Sequence, residues 1–142
     1  MREILFRGKR VDNGEWVNGY FIKANHHWHE HGVHEDWIAV DTIQNGGWCN
    51  VRGKYAVIPE TVGQYTGLTD KNGNKIFEGD IIKLFLDDGI ETGVIRYSET
   101  ACRFMFYENN IMGYGFDNTC IFEIIGNVHD NPELLKERDN DE

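Results

Sequence analysis

The chain has 142 residues, of which 40% are hydrophobic and 13% aromatic, and a net charge of -10 with histidine neutral. That apolar content excludes a disordered polymer, and no run approaches the ~18 apolar residues of a membrane helix. Residues 1–75 carry nine basic and nine acidic side chains, whereas residues 76–142 carry five and fifteen. The acid excess works against general attraction to nucleic acid or anionic membranes. Residues 1–10 become charged where a secretory leader needs its apolar run, so a cytoplasmic protein is expected.

Two prolines and sixteen glycines point to many tight turns and an all-β chain. Asn13-Gly14 lies between flanks rich in β-branched and aromatic residues and predicts a hairpin with a type I′ turn, which needs positive φ at both central positions. Arg2, Arg7, Lys9 and Arg10 form the one basic cluster, read as a solvated edge strand whose cations discourage pairing with other chains. Next comes a stretch holding His26, His27, His29, His31 and His34 beside Glu30, Glu35 and Asp36. Imidazole and carboxylate suit Zn²⁺, but neither HExxH nor a finger spacing is present, so a variable loop packed down by Trp28 or Trp37 is expected.

Further turns are expected at Asn45-Gly46-Gly47 and Asn72-Gly73, and one helical turn at Pro59. Glu78 and Asp80, two apart on a presumed strand, would share one side; the simpler reading gives Asp80 to nearby backbone amides. Residues 81–86 place Ile82, Leu84 and Leu86 on one face, and Ile81, Lys83 and Phe85 on the other. Asp88-Gly89 predicts the next hairpin. Cys102, Phe104 and Phe106 then alternate with Arg103, Met105 and Tyr107. Strands apolar on both sides suggest a closed barrel whose outer face is covered by another segment of the chain or by another subunit. Self-association is expected, the alternative being a well-filled monomeric core. After a last strand at 122–128, Asn131 and Pro132 suit the cap and first turn of a short helix before a charged tail at 136–142.

Cys49, Cys102 and Cys120 are odd in number and far apart, which suits reduced thiols serving as small buried hydrophobes. Ser98 is the one serine and lies in no GxSxG, and Gly113 and Gly115 form no phosphate loop. No catalytic, cofactor or metal residue is assigned, and no enzyme is expected.

Four runs resemble the YopX family of phage and prophage proteins. They are Arg2-Glu3-Ile4-Leu5-Phe6-Arg7-Gly8-Lys9-Arg10, Gly63-Gln64-Tyr65-Thr66-Gly67-Leu68-Thr69-Asp70-Lys71-Asn72-Gly73, Ile76-Phe77-Glu78-Gly79-Asp80-Ile81-Ile82 and Ile124-Ile125-Gly126-Asn127-Val128-His129-Asp130-Asn131-Pro132-Glu133-Leu134-Leu135. The unmatched part, about residues 24–56, holds the five clustered histidines. The resemblance implies an all-β protein with an SH3-like barrel in its C-terminal half and a homo-oligomeric state, and carries over no activity, cofactor or catalytic residue. The expected organisation is therefore an N-terminal β layer at 1–70 with a histidine-rich loop at about 24–56, a barrel at 71–135 and an acidic tail. The expected function is a non-enzymatic phage accessory scaffold or protein-binding module. The alternatives are a nucleic-acid module using the basic strand and exposed aromatics, and a metal-dependent protein built on His26, His29 and His34.

Overall fold

A computed structural model of the chain describes residues 2–23, 36–45, 48–108, 113–115 and 117–135. The five clustered histidines and the tail at 136–142 lie outside them. The chain divides into two compact units, Met1–Gln64 and Tyr65–Glu142. No helix is long and apolar enough to cross a membrane among the described residues.

In the first unit, β1 (Phe6–Lys9), β2 (Trp16–Ile22), β3 (Asp36–Asn45) and β4 (Trp48–Val57) form an antiparallel meander in the order β4-β3-β2-β1. A single 3₁₀ turn, Pro59–Thr61, sits where one helical turn was expected, and leads into β5 (Gly63–Thr69). The first two residues of β5 pair with the free side of β1, Gln64 opposite Phe6 and Gly63 opposite Arg7. The basic strand is therefore flanked on both sides and is not the edge strand expected. Thr61 fixes this corner: its buried hydroxyl donates to the Ile58 carbonyl at 2.6 Å and accepts the Lys9 N–H at 2.9 Å. Much of the stretch expected as a variable loop is also strand. Trp37 and Ala39 alternate with Ile38 and Val40 at the period of a two-sided sheet, and β3 and β4 pair from Asp36↔Val57 to Asn45↔Trp48.

The Asn13-Gly14 hairpin forms, but not with a type I′ turn. The Arg10 N–H donates to the Glu15 carbonyl at 2.9 Å and closes a four-residue loop, within which Gly14 alone has positive φ, +71°. Asn13 keeps negative φ and turns its Oδ1 to the Glu15 N–H at 2.9 Å. An Asx turn thus replaces the second left-handed residue that a shorter loop would demand.

The second unit contains the rest of β5, β6 (Lys75–Phe77), β7 (Asp80–Leu86), β8 (Gly89–Ser98), β9 (Arg103–Tyr107), β10 (Gly113–Gly115) and β11 (Ile121–Asn127). Its five-stranded antiparallel sheet runs β10-β9-β8-β7-β11. The registered pairings leave it open, with β10 and β11 at the edges; the all-β class is as expected. The alternation read along 81–86 holds. Ile82 and Leu84 join Ile76, Ile95, Phe106 and Phe122 in one core cluster, with Phe104, Ile124, Leu68 and half-buried Cys120 packed against it. Burying each large side chain contributes on the order of 1.5–3 kcal/mol before chain entropy is counted. On the opposite face Ile81 and Val94 are also buried, so part of that face is covered.

Three local expectations differ in detail. The β7–β8 turn uses Asp87 and Asp88, because Leu86 pairs with Gly89; neither aspartate has positive φ, so the turn falls one residue earlier than the Asp-Gly signal placed it. Cys102 is exposed rather than buried: it sits in the β8–β9 turn at φ +54°, its Sγ 3.3 Å from the Glu99 carbonyl. The turn sets its direction, and the alternation of the strand begins only at Arg103. Asn131 precedes the short helical turn at 133–135, but its Oδ1 accepts the Asn127 N–H at 3.3 Å instead of capping forward.

Candidate functional site

Two carboxylates in the second unit are buried, and both act on backbone. Asp70 closes the β5–β6 turn, its Oδ1 accepting the N–H groups of Asn72 at 3.0 Å and Asn74 at 2.9 Å. Its Oδ2 accepts the Ile124 N–H at 3.2 Å, fifty-four residues away, so one side chain ties the β5–β6 hairpin to β11. The Lys71 N–H adds a parallel link to the Phe122 carbonyl at 2.8 Å. Burial pushes the Asp70 carboxyl up, but the Asn74, Ile124 and Asn72 amides outweigh it and hold its pKa below the ordinary value. A carboxylate so held stays ionised near neutral pH, its oxygens engaged by backbone amides.

Asp80, 1% exposed, accepts the Phe77 N–H on Oδ2 at 2.8 Å, the backbone role read from the sequence. Glu78 does not share its strand. Glu78 and Gly79 form a turn, with Gly79 at φ +86°, and β7 begins at Asp80. The expected one-sided carboxylate pair is therefore absent, because the turn rotates Glu78 out of the strand alternation. Gly79 donates to the Ile95 carbonyl at 2.8 Å and accepts the Val128 N–H at 2.9 Å. Nearby, Asn127 Oδ1 accepts the N–H groups of His129 and Asp130. Three of the four runs singled out in the sequence thus supply the knots of one hydrogen-bonded corner.

The second unit also presents an exposed apolar ridge. Ile121 on β11 and Ile90 on β8 both register with Phe85 on β7, and registered residues of a sheet share a face. Ile90 and Ile121 are 55% and 58% exposed. At the rim, the Lys71 ammonium lies 5.0 Å from the centre of the Phe85 ring and 3.6 Å from a Glu123 carboxylate oxygen.

The first unit presents a different surface. Register places Arg7 beside Asn18 and Lys9 beside Trp16, then Tyr20 beside Ala39 and Lys54, and Ile22 beside Trp37 and Ala56. These ten residues share one face, and they include three cations and three aromatics. The Arg7 guanidinium lies 4.7 Å from the centre of the Trp16 ring, the Lys9 ammonium 5.8 Å from it, and the Lys54 ammonium 4.9 Å from the Trp37 ring. Each such contact contributes about 0.5–1 kcal/mol where solvent reaches it. Tyr20 is 53% exposed between them, with Ile22 exposed further along β2. The opposite face is core, with Ile38 and Val57 buried and Phe6 against Phe21 at 5.6 Å.

The basic cluster read from the sequence is split by this geometry. Arg7 and Lys9 point to the aromatic face, whereas Arg10 lies 4.1 Å over the Tyr55 ring and pairs with Asp12 at 2.6 Å. The Asp12 hydrogen bond raises the Arg10 pKa, and the same bond lowers that of Asp12. Lys54 and Trp37 fall in the stretch expected as a variable loop, and the sequence does not join them to the cluster. No group of three or more potential metal ligands occurs among the described residues.

The model of a protein family described as YopX protein matches residues 5–136. The crystal structure of protein EF1440 from Enterococcus faecalis is similar, with a TM-score of 0.61 and 23% identity over 95% of this chain and 99% of that one. That likeness concerns the fold. No curated protein matches the chain.

Proposed function

The chain belongs to the YopX family, and we propose that it is a non-enzymatic phage accessory protein, a self-associating scaffold that binds other proteins in the bacterial cytoplasm. The observation that carries this reading is the apolar ridge of the second unit. Three large hydrophobic side chains on adjacent strands, Phe85, Ile90 and Ile121, form a contiguous surface of the kind that a second copy covers. The strand order also supports an SH3-like reading of this unit: β7, β8 and β9 form a meander, and β11 returns beside β7. Such modules bind through loops and grooves and leave chemistry to others.

The buried polar groups favour the same reading. Asp70 and Asp80, deeply buried carboxylates, are engaged with backbone amides that hold the corner together. Residues 65–142 carry seven basic and sixteen acidic side chains, so a basic protein surface is the complementary partner.

Light scattering across a hundredfold range of concentration tests the self-association. The expected result is a mass above that of one chain, falling to one chain in Ile90→Lys combined with Ile121→Lys. A wild-type protein that stays a single chain throughout overturns the proposal.

A further inference from the structure

We propose that the cation–aromatic face of the N-terminal sheet is a binding surface for single-stranded nucleic acid, separate from the apolar ridge through which copies associate. The net acidity of the chain is not spread evenly between the two units. Residues 1–64 carry seven basic and eight acidic side chains, so nearly all of the negative charge lies in residues 65–142. Within the near-neutral first unit, Arg7, Lys9 and Lys54 are gathered on one face with Trp16, Tyr20 and Trp37. The complementary occupant of such a face is a polyanion.

The aromatics decide which polyanion. Trp16 and Tyr20 lie on the same side of β2, and Trp37 lies on that side of β3, next but one in the sheet to β1. An antiparallel sheet face that carries aromatic rings and cations together presents stacking surface for bases and charge for phosphates. Arg7 and Lys9 lie over the Trp16 ring and Lys54 over the Trp37 ring, while Tyr20, 53% exposed, is the ring most open to a base. An acidic peptide would use the cations but not the rings. A duplex hides its bases and would likewise forgo the stacking. Every base has a π face, so the surface is expected to bind with little sequence preference.

Fluorescence anisotropy of the full chain with a labelled oligothymidylate of about 12 nucleotides tests the proposal. Binding is expected at low salt, with affinity falling roughly as the second power of salt concentration for about three neutralised phosphates. Tyr20→Ala is expected to weaken it roughly tenfold and Tyr20→Phe to leave it near wild type, because stacking needs the ring and not the hydroxyl. Lys54→Ala is expected to flatten the salt dependence by a little under one power. Tyr20 is largely exposed, and thermal melting of each variant verifies that folding is kept. Absence of binding at low salt overturns the proposal. So does equal affinity for polyglutamate or for a duplex of the same length, and so does binding unchanged in both Tyr20→Ala and Lys54→Ala. Light scattering on the same variants keeps this outcome separate from that of self-association.

Discussion

The two units use the same device, an antiparallel sheet with one core face, yet arrange their charge in opposite ways. In the second unit the key carboxylates point inward. Asp70 and Asp80 are buried and bind backbone amides, while the exposed face offers Ile90 and Ile121. In the first unit the core face is apolar, with Ile38 and Val57 buried, and the charged side chains lie over aromatic rings on the other face. Buried carboxylates bonded to backbone amides fix a geometry, whereas cations over rings on the other face keep part of their contact with solvent.

The largest expected effects test whether both sheets are equally intolerant at their cores. A Cβ on Gly93 would meet the Tyr107 carbonyl and, at 2.6 Å, the Phe106 ring; one on Gly19 would meet the Ala39 carbonyl. Gly93→Ala and Gly19→Ala are each expected to cost about 3 kcal/mol or more in chemical denaturation, since neither neighbour can retreat without moving its strand. A difference below about 0.5 kcal/mol from wild type at either site would refute the packing described for that sheet.

Asp70→Asn sharpens the contrast in charge. It removes the negative charge that three backbone N–H groups address and is expected to cost roughly 2 kcal/mol. Exchange protection of the Ile124 amide should fall with it. The corresponding pH dependence follows from the lowered pKa. The folded carboxyl titrates below the unfolded one, so its contribution is complete above the unfolded value of about 3.9 and is lost as pH falls through the folded value. Wild-type stability should therefore drop more steeply than that of Asp70→Asn as the pH is lowered from 5 to about 2.5. Parallel curves would show that Asp70 carries no net stabilisation.

Smaller effects compare the turns. Gly73→Ala, at φ +84°, and Gly14→Ala, at φ +71°, are each expected to cost about 1 kcal/mol from backbone strain alone, because open space surrounds both Cβ positions. At the lower end, Asp12→Ala breaks an exposed pair with Arg10 and should shift stability by less than about 0.5 kcal/mol. A larger loss would mean that the Arg10–Tyr55 stack depends on Asp12.

Much of this architecture can be read in the residues themselves. The glycine and asparagine signals mark the turns, and the alternation of Ile82 and Leu84 against Ile81 and Lys83 fixes which side of β7 enters the core, because strand geometry forces successive side chains to opposite faces. Local chemistry also assigns Asp80 to the backbone beside it. Contacts across long separations are a different matter. That Asp70 reaches the Ile124 amide, that β1 is flanked by β5 and so is no edge, and that Lys54 and Trp37 join Tyr20 on one face all depend on register between distant strands. Register is set by the packing of the whole sheet, and a shift of one residue would send every one of those side chains to the other side. The turns and the core face were therefore written locally, while the apolar ridge and the cation–aromatic face came into being only when the strands aligned.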